Sequence, residues 1–157
     1  MKHVRQRDDR RGVVTVEMAI VAPLLIFLLF AIIEFGVLIR DVISIHEAAR
    51  EGTRAAAVGA TTTTTLARAN SALSPLDATE AQIALEYRKW SFSTGSWGSW
   101  QTLTNSGPVN SATPGDQIRV TVTYPHAIML TGLFGGWSDD GESGIKTLRA
   151  ATIMRRE

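Results

Sequence analysis

The chain has 157 residues, 45% of them hydrophobic, and a formal net charge of +1. This length allows one modest domain plus one segment of another kind. The low net charge leaves no excess of lysine and arginine to neutralise phosphates, so no nucleic-acid partner is expected. The absence of cysteine excludes disulfides, thiolate metal sites and thiol catalysis.

A short basic tail precedes a long apolar segment. Lysine or arginine stands at positions 2, 5, 7, 10 and 11, against two aspartates. The apolar stretch from Met18 reaches Ile39 if Glu34 is tolerated, which gives 22 residues. A helix of that length spans roughly 33 Å, enough to cross the hydrocarbon core of a bilayer. We therefore predict a cytoplasmic leader at 1–12 and a transmembrane helix at 13–39, with the C-terminal part outside the cytoplasm.

A cleaved secretory signal is the alternative interpretation of this segment. The apolar stretch is long for the hydrophobic region of a signal peptide, and no A-x-A cleavage site follows it at the expected distance. The pattern therefore favours a permanent anchor.

Two carboxylates interrupt the apolar segment. Glu34 is expected near the outer interface, where its side chain reaches water. Glu17 lies inside the start of the segment, and a carboxylate in lipid usually marks a function or a partner. Cleavage between Gly12 and Val13 would create an α-ammonium that could neutralise Glu17 of a neighbouring subunit. Alternatively, Glu17 lies in the headgroup region beside Arg11.

These residues resemble the type IV prepilin pattern, with Gly12 at the cleavage site and Glu17 as the fifth mature residue. More narrowly, residues 11–59 resemble the TadE family, the pseudopilin-like proteins of the tight-adherence (Flp) pilus machinery. The matching features are Val16-Glu17, Pro23 with its following leucines, Ile33-Glu34-Phe35-Gly36, Ala48-Ala49-Arg50-Glu51-Gly52 before Arg54, Val120 to Pro125, and Met154 to Glu157. Met18 and His126 depart from the aromatic and apolar residues that such proteins often have there.

The resemblance implies processing by a prepilin peptidase, and assembly with other pilin-like subunits and pilus platform proteins. It also implies a bacterial cytoplasmic membrane protein with a single span in the lipid bilayer, or a subunit of the pilus itself. The leading hypothesis is a minor pilin-like structural component that helps to assemble an adhesion or secretion filament. The alternative is a permanently anchored protein whose outer domain binds a ligand or partner.

The helix is expected to continue beyond the membrane, at 40–60. Apolar and small residues recur there in steps of three and four, which traces one helix face. Within that face, Ala48, Ala49 and Gly52 permit close backbone approach. This packing face could contact the protein's own sheet, which we favour, or helices of other subunits. Gly59 is the expected C-cap.

The remaining chain is predicted to form a linker at 61–80, with a possible short helix from Thr65 to Leu73, and a small antiparallel β domain at 81–157. Apolar side chains alternate with polar ones around Leu85 and Val120, and a last strand is expected from Ile145 to Met154. The predicted fold is thus α+β and pilin-like, with a long N-terminal transmembrane helix extending into a small extracytoplasmic antiparallel-sheet domain.

Other candidate sites in the sequence have weaker support. The tryptophans between Trp90 and Trp100 could bind sugars or a partner, although completing the core of the domain is the commoner role. The cluster from Asp139 to Glu142 could hold calcium, but a solvated turn is the favoured interpretation. No metal-ligand spacing, phosphate loop or nucleophile elbow is present in the sequence, so no catalytic residue, metal or cofactor is expected, and the protein is not expected to be an enzyme.

Overall fold

The computed structural model describes residues 6–139, 141 and 143–157, with side chains from residue 12 onward. The chain divides into two compact units, Met1–Val37 and Leu38–Glu157. One helix, α1 (Gln6–Ala57), passes through both units. A long N-terminal apolar helix followed by a small antiparallel sheet confirms the predicted α+β class.

Within the first unit, α1 exposes a nearly continuous apolar surface. Many of its large side chains are exposed, and Ile20, Leu24 and Ile32 are each more than 60% exposed. Among the described residues, α1 from Gly12 onward is the one helix long and apolar enough to cross a membrane. Exposure of so many large apolar side chains to water would be costly, which agrees with a membrane anchor. Glu34, by contrast, is only 3% exposed. At this exposure, the expectation that its side chain reaches water is wrong.

The second unit combines the C-terminal part of α1 with a four-stranded antiparallel sheet. Besides α1, its elements are α2 (Thr62–Ala72), β1 (Gln82–Arg88), β2 (Trp90–Ser91), β3 (Ser96–Trp97), β4 (Gln101–Thr102), β5 (Asn105–Ser106), β6 (Val109–Asn110), β7 (Gln117–Ala127), α3 (Thr131–Phe134), a 3₁₀ turn (Gly135–Trp137) and β8 (Ile145–Arg155). The strand order is β4-β1-β7-β8, while β2–β3 and β5–β6 form two small separate hairpins.

Alternation of side chains along the long strands gives the sheet one core face and one outer face. On β7, Ile118, Val120 and Val122 are fully buried, as the apolar alternation predicted. They form one cluster with Ile45 and Ala49 of α1. The intervening β7 residues, including Arg119, therefore lie on the outer face. Burial of this single apolar face against α1 and α2 builds the core.

The end of α1 has the glycine C-cap that the sequence predicted. Gly59 has a φ of 90°, a conformation that favours glycine because it has no Cβ. Its amide donates to the carbonyl of Ala56, and the Ala60 amide donates to the carbonyl of Ala55. These two bonds form a Schellman motif, which satisfies carbonyls that the helix end leaves unpaired.

The threonine run is helical, which corrects the predicted start of the second helix. The sequence favoured a start at Thr65, because threonine has poor helix propensity. In the structure α2 begins at Thr62, and the side chain of Thr61 accepts a hydrogen bond from the amide of Thr64. This N-cap stabilises the first turn. Burial of Thr65 against the core adds packing that offsets the weak propensity.

Candidate functional site

The residues predicted for processing and pairing lie along the N-terminal part of α1. Gly12, Val13 and Glu17 all lie within the helix, and all three are exposed. Glu17 follows Val13 by four residues, so both side chains lie on the same helix face, one turn apart. Nothing lies within 4 Å of the position that a Cβ on Gly12 would occupy. The side chain of Arg11, the alternative neighbour of Glu17, lies outside the described residues.

The predicted helix packing face lies in the core of the second unit. Ala48 and Ala49 have no exposed surface, and Gly52 is also buried. A Cβ added to Gly52 would lie 3.1 Å from the Cβ of Ala69 and 3.3 Å from Cγ1 of Val120. Here the small residues allow α1 to approach both α2 and β7 closely. Of the two predicted roles of this face, packing within the chain describes the contacts that these residues make.

A buried polar contact joins α1 to the end of β7. Nδ1 of His126 lies 2.7 Å from Oδ2 of Asp41, and both residues are almost fully buried. The guanidinium of Arg40 contacts the other oxygen of Asp41, at 2.7 Å and 2.9 Å. Asp41 thus has two basic partners, which compensates for removing its carboxylate from water. Sequence reasoning missed this pair, although it singled out His126 as unusual for the position.

The tryptophans of the β2–β3 hairpin and the following turn pack against arginines of the outer sheet face. The guanidinium carbon of Arg119 lies 4.1 Å from the ring centre of Trp100, and that of Arg88 lies 4.5 Å from the same ring. Arg88 also lies 5.3 Å from the ring of Trp97, and Arg155 lies 5.8 Å from it. Contacts of this geometry are cation–π interactions. We call this set the tryptophan–arginine stack.

The stack is held in place by strand register and by polar contacts. Arg88 pairs with Gln117 across β1–β7, and Gln117 pairs with Arg155 across β7–β8. Arg88 donates to the side chain of Gln117 at 2.8 Å. The guanidinium of Arg119 also contacts the carboxylate of Glu86, at 2.7 Å and 2.9 Å. Trp90 and Trp97 meet edge to face at 5.1 Å.

This arrangement does not match the predicted core role of the tryptophans, and their binding role stays a prediction. Trp97 and Trp100 are half-buried and lie outside the core cluster, so they do not complete the core. Guanidinium groups lie over both rings, so a sugar that stacked on the same ring faces would have to displace them. Because Arg119 alternates with apolar residues along β7, the sequence alone could have predicted that its side chain lies on the outer face. Its pairing with Trp100 depends on a long-range register that the sequence does not reveal.

The carboxylate of Asp139, in the acidic turn, contacts residues of β8, the strand that follows this turn. Asp139 contacts the ammonium of Lys146 at 2.9 Å and accepts a hydrogen bond from the amide of Thr147 at 2.8 Å. Hydrogen bonds from Thr147 and Lys146 lower the pKa of Asp139 from 3.8 to about 2. Two other members of the calcium candidate, Asp140 and Glu142, lie outside the described residues. Among the described residues, no group of three side chains could hold a metal ion.

Comparison with known proteins identifies one family. Residues 12–54 match the family model described as TadE-like protein, which confirms the resemblance noted in the sequence. The match covers the predicted processing and pairing residues, the whole apolar stretch, Asp41 and the small-residue face of α1. No curated protein and no solved structure matches the chain.

Proposed function

We propose that this TadE-like chain is a minor pilin-like structural component, which helps to assemble a tight-adherence or type IV-like pilus or a related secretion filament. The observation that supports it most is the family match at residues 12–54, over a helix that exposes apolar side chains and one acidic side chain near its start. Such a helix suits both storage in a bilayer and packing among similar helices. The role is structural rather than catalytic.

The proposed assembly step begins with cleavage between Gly12 and Val13 by a prepilin peptidase. A helix that started at Val13 would have Glu17 about one turn from its new N-terminus. The new α-ammonium on a neighbouring subunit would supply the positive charge that Glu17 needs in an apolar environment. Pairing of this kind would set the axial offset between adjacent subunits.

The proposed location is the bacterial cytoplasmic membrane, with a single span, the N-terminus in the cytoplasm and the C-terminal domain outside. The basic residues of the leader support this orientation, since cytoplasmic flanks carry an excess of lysine and arginine. The proposed partners are the prepilin peptidase, other pilin-like subunits and the pilus platform proteins. The assembled pilus is a second location for the processed chain.

The first test is the mature N-terminus, measured by mass spectrometry on protein from its native membrane. We expect a chain that starts at Val13, with an N-methyl group if processing follows the type IV pattern. A Gly12→Leu variant should stay uncleaved while it still inserts in the membrane. A wild-type chain that keeps its leader in cells containing the peptidase would contradict the proposed assembly step and leave the anchor intact.

The second test separates pairing from insertion. Glu17→Gln keeps the size of the side chain and removes its charge, so we expect normal insertion and cleavage with loss of filament assembly. The matched control is Glu47→Gln, which alters an exposed glutamate farther along the same helix. Shed or cell-bound filaments are quantified by immunoblotting. Equal assembly by both variants would argue against a pairing role for Glu17.

The rival function, an anchored domain that binds glycans through its tryptophans, has less support. Arginines lie over the Trp97 and Trp100 rings, and a ligand would have to displace them. We therefore expect tryptophan emission to stay unchanged when glycans are added to the full-length protein. A saturable shift that disappears in a Trp100→Ala variant would favour the rival.

A further inference from the structure

The loop that joins β7 to β8 has an apolar and largely exposed first part, which precedes its acidic residues. We call residues 128–144 the β7–β8 loop, which contains α3 and the 3₁₀ turn. Its most exposed large side chains are Met129 (64%), Leu133 (56%) and Trp137 (42%). From 127 to 138 the sequence contains no charged residue. Exposed apolar side chains grouped on one short loop usually mark a surface that contacts another phase or molecule.

This loop begins and ends at the part of the second unit where α1 enters it. The last residue pair of the β7–β8 ladder is Ala127 with Ile145, so both ends of the loop lie at this end of the sheet. Directly before it, His126 contacts Asp41, near the start of the α1 segment in this unit. The buried pair therefore fixes the loop to a known position along α1.

That position coincides with the end of the apolar stretch. Ile39 is the last residue of the stretch, and a rise of about 1.5 Å per residue puts Asp41 only ~3 Å farther along the helix axis. Arg40 lies between them, with its side chain 51% exposed. An arginine directly after an apolar span typically reaches the headgroup region. If α1 is anchored, the lipid–water boundary therefore lies close to the base of the β7–β8 loop.

The side chains of the loop suit that boundary. Tryptophan is enriched at membrane interfaces because its ring is apolar and its N–H is polar. The ammonium of Lys146 lies 6.0 Å from the ring centre of Trp137 and contacts the carboxylate of Asp139 at 2.9 Å, so the nearby charges form a pair beside the apolar group. A protein partner would not require this coincidence with the end of the span.

We propose that the β7–β8 loop inserts Met129, Leu133 and Trp137 into the headgroup region of the bilayer that holds α1. The second unit is then attached to one membrane twice, through the span of α1 and through the loop. This inference rests on the proposed anchoring of α1. Release of the subunit into a filament would require the loop to leave the lipid, so the contact adds a barrier to extraction.

The test uses the natural absence of cysteine. Single-cysteine variants of the full-length chain are labelled with an environment-sensitive fluorophore and placed in nanodiscs that hold one copy each. The probe positions are Leu133→Cys and Met129→Cys in the loop. Phe92→Cys is the aqueous control, because Phe92 is 92% exposed on the β2–β3 hairpin. Leu28→Cys, within the apolar stretch, tests the anchor itself. Quenching is measured with nitroxide-labelled lipids and with aqueous iodide.

We expect both loop probes to emit at shorter wavelength than the probe at 92, and to be quenched several-fold more by shallow lipid nitroxides and several-fold less by iodide. Iodide quenching equal to that at position 92 would overturn the proposal. Protection from both quenchers would also overturn it, since protein rather than lipid would then cover the loop. If lipid nitroxides fail to reach the probe at 28, the anchor is wrong, and the loop proposal fails with its premise.

Discussion

Asn110 is predicted to stabilise the end of α1 from a hairpin that is distant in sequence. Its Nδ2 donates to the carbonyls of Ala56 and Ala60, at 2.8 Å and 2.9 Å, and its Oδ1 accepts from the amide of Ala112 at 3.2 Å. The side chain is only 2% exposed. Asn110→Ala removes three hydrogen bonds, and at about 1 kcal/mol each the free energy of unfolding should fall by about 3 kcal/mol.

The matched control is Asn105→Ala. Asn105 pairs with Asn110 across the β5–β6 hairpin, but its side chain is exposed and accepts one hydrogen bond, from the amide of Thr62 at 2.8 Å. We expect its loss to cost about 0.5–1 kcal/mol, since a single exposed hydrogen bond contributes little net stability. The two variants therefore differ mainly in burial and in the number of bonds removed.

The assay is urea unfolding of the full-length protein in mild detergent, followed by tryptophan fluorescence. All four tryptophans lie in the second unit, so the signal reports the unfolding of that unit. With a urea dependence of about 1.5 kcal/mol per molar, Asn110→Ala should lower the midpoint by about 2 M at an unchanged slope. Equal, small shifts for both asparagine variants would refute the assignment of Asn110 as a buried cap.

Three further predictions concern the core, the outer face and the acidic turn. Gly52→Val should lower stability by about 1–3 kcal/mol in the same urea assay, because the added side chain overlaps Val120. Arg119→Met should lower it by about 1 kcal/mol and shift tryptophan emission, because the nearer of the two cations over Trp100 and its ion pair with Glu86 are lost. Asp139 has a pKa lowered from 3.8 to about 2, so its contribution is full above pH 3.8 and is lost as pH falls toward about 2. Stability curves of wild type and Asp139→Asn should therefore converge over that interval.

Each of these predictions has its own contrary outcome. Gly36→Ala, where no atom lies within 4 Å of the new Cβ, should leave the unfolding of the second unit unchanged. If Gly52→Val also leaves the unfolding of the second unit unchanged, α1 and β7 do not approach each other as closely as described. Arg149→Met, on the exposed outer face of β8, should not shift tryptophan emission. A stability gap for Asp139→Asn that persists at pH 2 would mean that another property of the side chain stabilises the turn.

Local patterns in the sequence predicted the elements that depend on periodicity and on capping. The alternation around Val120 predicted the core face of β7, and the long apolar stretch predicted the exposed first part of α1. Gly59 marked the helix end because its positive φ favours glycine. These features depend on residues close to one another in the chain, so a single sequence contains the necessary information.

Features that depend on tertiary contacts were not predictable in the same way. Asp41 and His126 meet across 85 residues, and no local pattern links a helical aspartate to a strand histidine. The stacking of Trp100 on Arg119 similarly depends on the pairing of β4 with β1 and of β1 with β7. In both cases the deciding energy comes from a partner that is distant in sequence. The start of α2 is a different case, because the N-cap Thr61 is local, and the poor helix propensity of threonine obscured it.

The order of elements along the chain has a consequence during protein synthesis. Thr53 on α1 donates a hydrogen bond to the carbonyl of Thr152 on β8, a separation of 99 residues. The ribosome therefore completes α1 long before it makes the strand that covers part of its small-residue face. Through most of translation that face has only incomplete cover, at a stage when unfolded segments are prone to association. During this interval, before β8 closes the domain, the face is open to a chaperone or to the α1 helix of a neighbouring nascent chain.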